Sequence, residues 1–160
     1  MQKSVLNGID KDIEDIFYSY VKVRSDTYTD LERDIEPFLM NFFNKIDYFK
    51  RNPNYFGTYK IENDTFNRSV CWGLVKGKDD DTVVLIHHND VVNVEDFKTL
   101  KPYAYSPKKL EIELMKVKAG LHTEAREDLE SRDYIFGRGT ADMKGGGSIQ
   151  LALIKRYSEL

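Results

Sequence analysis

Two groups of residues have types and spacings suited to chemistry. His88-Asn89-Asp90 directly follows the apolar run Val83-Val84-Leu85-Ile86. On an extended chain, side chains two apart leave on the same side, so His88 and Asp90 converge on one site at the end of that run. A histidine can bind a cation through one ring nitrogen while a carboxylate orients the ring. A plain loop after a strand, with His88 only hydrogen-bonded, fits the same triplet. The second group is Gly137-Arg138-Gly139-Thr140-Ala141-Asp142-Met143-Lys144-Gly145-Gly146. Asp142 lies there in a turn bounded by glycines, which permit backbone geometries that other residues resist. A carboxylate so placed can put one oxygen on each of two cations about 3.5–4 Å apart. A turn that merely reverses the chain is the plainer alternative. A phosphate-cradling loop is less suited, because the Gly-Lys-Ser/Thr ending is missing.

The elements that must position these residues are legible from periodicity. Ile9, Ile13, Ile16, Phe17, Tyr20 and Val21 recur at helical spacing, which predicts an amphipathic helix over 8–24. Thr29 followed by Glu32 has capping-box spacing. Leu31, Ile35, Phe38, Leu39, Phe42, Phe43 and Ile46 continue an apolar face behind it. Pro37 inside that pattern predicts a kink or a helix beginning near it. The period then changes. Residues 55–61, 70–75 and 82–88 read as strands, with GKDDD (77–81) as a hairpin-like turn between the last two. The unbroken apolar run 83–86 is the pattern of a strand buried on both faces. Residues 96–132 are charged and aperiodic, and read as a long excursion with some helix near 124–130. Residues 134–139 read as a short strand entering a tight turn. A last helix follows the glycines, with Ile149, Leu151, Leu153, Ile154 and Tyr157 as its apolar contacts. Helices, strands and a returning helix make an α/β sandwich the expected class.

Composition narrows the function classes. The 160 residues carry a net charge of −3 and 12% aromatics. The aromatic content argues for a packed core rather than disorder. No basic stripe marks a nucleic-acid partner, and no apolar run reaches the roughly 20 residues that span a bilayer. Acidic residues interrupt the first 17 positions, so no signal core is read there. The lone Cys71 excludes an internal disulfide and points to a reducing, cytoplasmic home. The Asp79-Asp80-Asp81 run reads as a solvated turn. Cys71 and Trp72 are expected on opposite faces of one strand.

Taken together, the two chemical groups resemble one family. Apolar strand, His-x-Asp-Val-Val, then Gly-Arg-Gly-x-x-Asp-Met-Lys-Gly-Gly is similar to the acetylornithine deacetylase, succinyl-diaminopimelate desuccinylase and glutamate carboxypeptidase group of metallopeptidases. Val23-Arg24-Ser25 and the Thr29–Glu32 cap also resemble that family's N-terminal helix and loop. Leu100-Lys101-Pro102-Tyr103 and the long segment before Asp142 look most like its arginine-utilisation RocB branch.

The resemblance implies a truncated zinc-exopeptidase-type fold, a three-layer α/β sandwich with a mixed sheet flanked by helices. Residues 1–160 would be the N-terminal part of the catalytic domain. The rest of that domain and an inserted lid or dimerisation domain would be absent. His88 would ligate one metal, Asp142 would bridge two, and Asp90 would serve catalysis by orienting His88. A cis peptide is implied at Asp142–Met143. The cofactors would be two divalent ions, zinc first, with cobalt or manganese admitted. The substrate would be a small amino-acid derivative or peptide, split at an amide bond by metal-assisted hydrolysis, and a homo-oligomer is admitted.

The chain departs from the family at two points. The family's Glu-Glu pair, which supplies the general base and a further ligand, has no counterpart before Leu160. Three histidines exist: His87, His88 and His122. His87 stands where the family usually has glycine and is read as a structural neighbour of the ligand. His122 is read as exposed and Arg138 as a local brace for the turn. The expectation is therefore part of an active site without its base. A non-catalytic fragment or degenerate binding module is the alternative.

Overall fold

A computed structural model describes residues 7–160. The first six positions, part of the 17 read above for a signal core, lie outside the described residues. Helix α1 runs Ile9–Val21. Asp10 and Asp12 sit in its first turn, where carboxylates favour the positive end of the helix dipole. Ile9, Phe17, Tyr20 and Val21 are its buried face, as the spacing predicts.

Thr29 does act as a cap, but of a 3-10 turn over Asp30–Asp34, accepting a hydrogen bond from the Leu31 amide. Glu32 reaches back to the Tyr28 amide at 2.6 Å. Helix α2, Ile35–Asn44, follows directly. Pro37 falls in its first turn, where an amide hydrogen has no intrahelical partner to lose. The helix therefore begins near the proline, the second of the two readings, rather than kinking at it. Ile35, Leu39 and Phe43 form its buried stripe. A short α3, Asp47–Arg51, adds Phe49.

Strands β1 (Phe56–Lys60) and β2 (Ser69–Gly73) pair antiparallel, Phe56 opposite Gly73 and Lys60 opposite Ser69. Asp64 closes the loop between them, accepting from the Phe66 and Arg68 amides and pairing with the Arg68 guanidinium. A methyl at Gly73 would lie 2.6 Å from Phe43 Cε1, so glycine lets the sheet settle on α2. Cys71 packs toward the core and Trp72 stands 42% exposed on the other face.

The core gathers Tyr20, Ile35, Leu39, Phe43, Ile46, Phe49 and Leu151. Its rings meet edge-on or stacked, Phe43 with Phe49 at 5.0 Å and Tyr20 with Phe38 at 5.0 Å, both favourable arrangements. The last helix, α6 (Gly145–Tyr157), lies against α1. Asp12 binds both Lys155 (2.7 Å) and Arg156 (2.6 Å) across that contact. Gly147, Ser148, Leu151 and Ala152 are its buried residues, while Ile149 and Tyr157, read as apolar contacts, are about half exposed.

The architecture is mixed α/β, largely helical, with one two-stranded sheet among the described residues. Three readings from periodicity are corrected. The run 82–88 has no ladder partner among the described residues. Val83, Val84, Leu85 and Ile86 are exposed. An apolar β-branched run is only a propensity, and a strand also needs neighbours to hydrogen-bond. Consequently β2 pairs with β1 rather than with 82–88, and GKDDD closes no hairpin; its three aspartates are exposed, as expected. Residues 132–136 likewise carry no ladder. The excursion, by contrast, is mostly helical. Turns over Glu95–Tyr103 lead to α4 (Pro107–Val117) and α5 (Thr123–Ser131). Charges on every turn of α4 mask its pattern, and Pro107 and Leu110 are its only fully buried residues. No helix of the described residues is long and apolar enough to cross a membrane.

Phe49 is fully buried among Phe43, Tyr48 and Phe56. Phe49→Ala is expected to lower the unfolding free energy by about 3–5 kcal/mol, read from urea unfolding monitored by circular dichroism.

Candidate functional site

The loop after α1 organises the site. Ser25–Thr27 lie beside Asn89–Val91. The Val91 amide donates to the Ser25 carbonyl at 2.9 Å and the Thr27 amide to the Val91 carbonyl at 2.8 Å, a parallel bridge centred on Asp26 and Val91. The Ser25 hydroxyl donates to the Asn89 carbonyl at 2.7 Å. This short parallel contact is what remains of the expected strand end. It fixes where His88 and Asp90 leave the chain.

Asp142 arrives from the other side. Gly139 has φ +74°, and a methyl there would stand 2.6 Å from Val91 Cγ1. Both the turn and its contact with Val91 therefore require glycine. The turn Thr140–Lys144 then leads into α6, and the Asp142–Met143 peptide is cis, as the resemblance implies. Arg138 braces this turn as read from sequence. Its amide donates to the Ala104 carbonyl, and its side chain pairs with Asp96 over the Phe97 ring.

All three predicted site residues meet. His88 Nε2 is 2.9 Å from Asp142 Oδ1 although 54 positions separate them. His88 Nδ1 faces the Asp90 carbonyl oxygen at 3.1 Å and its carboxylate at 3.3 Å. The Thr27 hydroxyl donates to the other Asp90 oxygen at 3.0 Å. They line a pocket of about 290 Å³ with Thr27, Val91 and Arg138. Both ring nitrogens of His88 thus face acceptors. Burial alone would lower its pKa. The Asp142 hydrogen bond and the Asp90 charge outweigh that and raise it.

Histidine nitrogen and carboxylate oxygen are the atoms through which zinc is held, and the Asp90 oxygens behind Nδ1 suit a ring that coordinates through Nε2. Two such donors are a partial set. Among the described residues, no group of three or more His, Cys, Asp or Glu side chains is arranged to hold a metal ion. His122 is exposed, as read. His87 does not line the pocket.

Sequence reasoning missed the supports beneath the site. Lys144 is fully buried, its ammonium donating to the Val23 carbonyl and lying 5.4 Å from the centre of the Tyr20 ring. Asp26, 5% exposed, accepts from Arg24 at 3.0 Å and Tyr105 at 2.7 Å. Burial pushes the Asp26 pKa up, but the Arg24 and Tyr105 hydrogen bonds bring it below the ordinary value. Burial, with Asp26 adding to it, pushes the Tyr105 hydroxyl to about 12. A lysine two positions after a candidate ligand, in a glycine-rich turn, carries no pattern that would announce its burial.

The chain is 29% identical to Protein RocB of Bacillus subtilis (strain 168) over 149 residues, 92% of the chain and 26% of RocB. The similarity to RocB extends over nearly the whole chain. The chain is also 38% identical to the uncharacterized protein YqjN of the same organism over 110 residues, 68% of the chain and 20% of YqjN. The chain therefore spans about a fifth to a quarter of the curated relatives it matches. No family model matches it, and no solved structure does.

Lys144 offers a pH test of these supports. Burial lowers its pKa from 10.5 to about 8, with the Asp26 charge opposing. Between those values the unfolded chain holds more protons, so unfolding free energy rises with pH there. The contribution is present above pH 10.5 and is lost as pH falls through 8, on the order of 3 kcal/mol in all. Lys144→Met should flatten that rise, on top of a pH-independent loss from the freed Val23 carbonyl. Urea unfolding of both proteins across pH 7–10.5, with chelator present, measures it.

Proposed function

We propose that these residues form part of the active site of a metal-dependent amide hydrolase. The observation that carries this reading is the meeting of His88 Nε2 with Asp142 Oδ1 at 2.9 Å, with Asp90 behind the imidazole. A hydrogen-bonded pair at the mouth of an open pocket offers one cation a nitrogen and an oxygen ligand. In this reading His88 would hold one metal through Nε2, Asp142 would supply a carboxylate shared between two, and Asp90 behind Nδ1 would orient the ring. Two divalent ions, zinc first, with cobalt or manganese able to replace it, would supply an activated water and polarise the amide carbonyl.

The division of labour follows from position. His88 and Asp142 present donor atoms to the pocket, while Asp90 and Thr27 fix the angle of the imidazole from beneath. The general base and further ligands would come from residues other than His88, Asp90 and Asp142. The zinc-exopeptidase sandwich, in which 82–88 would gain ladder partners, belongs to the same proposal. So does a cytoplasmic role in arginine utilisation on a small amino-acid derivative or peptide, suggested by the likeness to RocB.

The test combines metal analysis with an amide-hydrolysis screen on the native protein purified from its source. Metal content should fall on Asp142→Ala and on His88→Ala, and hydrolysis of N-acyl amino acids and dipeptides should drop to background in both. A native protein that carries no divalent metal, or an Asp142→Ala variant with unchanged metal per chain, would sink the reading.

A further inference from the structure

We propose that His87 is a positioning residue for the His88–Asp142 pair: clamped between Tyr20 of α1 and Gln150 of α6, it sets where the neighbouring imidazole meets the turn that carries Asp142. The inference rests on the reading of that pair as metal ligands.

The need for such a clamp is visible in the backbone. Among the described residues, no backbone amide from Val75 to Asp90 donates to another backbone carbonyl. The Leu74 amide is bonded to Tyr55, and the next is Val91 to Ser25. Among the described residues, side-chain contacts rather than a ladder therefore hold the segment bearing His88. Its neighbours do the holding. His87 Nδ1 lies 2.8 Å from Gln150 Oε1, and its Nε2 lies 3.1 Å from the Tyr20 hydroxyl. The Gln150 amide also donates to the Ile86 carbonyl at 3.4 Å, and the Tyr20 hydroxyl bonds the Asn89 side chain.

Both posts are stiff, and one is shared with the bridge. Tyr20 is fully buried and stacked on Phe38. Gln150 stands on α6, the helix that begins at Gly145, three residues after Asp142. One helix thus carries Asp142 at its entrance and holds the His88 segment through Gln150. The imidazole is also seated against the backbone of that helix. A methyl at Gly147 would come within 2.8 Å of His87 Nε2 and 3.1 Å of Tyr20 Cε1. A large ring at 87 and no side chain at 147 fit each other. His87 is not itself a ligand here, because both ring nitrogens are engaged by Gln150 and Tyr20.

The experiment is Co2+ binding to the metal-free protein, followed by its visible absorption, for wild type, His87→Ala, His87→Gln, Gly147→Ala and His88→Ala. Outer hydrogen-bond partners of metal-binding histidines typically change affinity about 10–100-fold when removed. His87→Ala should weaken Co2+ by that factor and shift the absorption band. His87→Gln, whose amide can still bond one post, should recover part of both. Gly147→Ala, which pushes the ring with its methyl, should also shift the band, and it decides the matter if His87→Ala fails to fold. If His87→Ala and Gly147→Ala keep wild-type affinity and spectrum while His88→Ala loses both, the positioning role is overturned and the metal reading stands. If His88→Ala also binds like wild type, the metal reading has failed and takes this inference with it.

Discussion

The site depends on one short contact, the docking of Asn89–Val91 onto Ser25–Thr27. Two backbone hydrogen bonds and the Ser25 hydroxyl join the loop after α1 to the residues that carry His88 and Asp90. The turn leading to Asp142 is built on the same spot, because Val91 fills the space that a side chain at Gly139 would need. Three stretches distant in sequence meet there. Each would have little reason to hold its conformation alone, since short irregular segments gain too little to offset the entropy of ordering them.

Charge reinforces this contact from below. Lys144 reaches back from the Asp142 turn to the Val23 carbonyl. Asp26 collects Arg24 and Tyr105 at the other end of the same loop. A buried ammonium without a directly bonded carboxylate is costly. It is tolerated here because a carbonyl accepts from it, the Tyr20 ring lies near it and the Asp26 charge is close enough to raise its pKa. The cost concentrates where the geometry must be held, which is the usual place for poorly solvated groups in a functional site.

What could be read from the sequence divides along physical lines. Helix α1, the stripe of α2, the apolar face of Cys71 and the convergence of His88, Asp90 and Asp142 follow from local periodicity, or from motifs whose residues act together. The failure at 82–88 has a different cause. TVVLI states a preference for a strand, but pairing is a property of two segments, and the described residues offer no partner. Helix α4 was hidden for the opposite reason. Its helix is local, but charges on every turn obscure its stripe, and Leu110 is the one large apolar side chain it buries deeply. The parts that Lys144, Gln150 and Tyr20 play around the site were invisible because they depend on tertiary neighbours.

Burial grades through the site in a way that assigns its parts. Tyr20, Ser25 and Lys144 are fully buried and Asp26 nearly so, while Asp142 is 86% exposed. Asp90 and His88 lie between, at 36% and 46%. Groups that hold are inside, and groups that present atoms to the pocket are outside. A purely structural histidine–aspartate pair would gain from the reverse order, since an exposed ion pair contributes little to stability. The exposed His88–Asp142 pair adds little to the fold, yet the buried loop, the glycine turn and the His87 clamp all hold it in place.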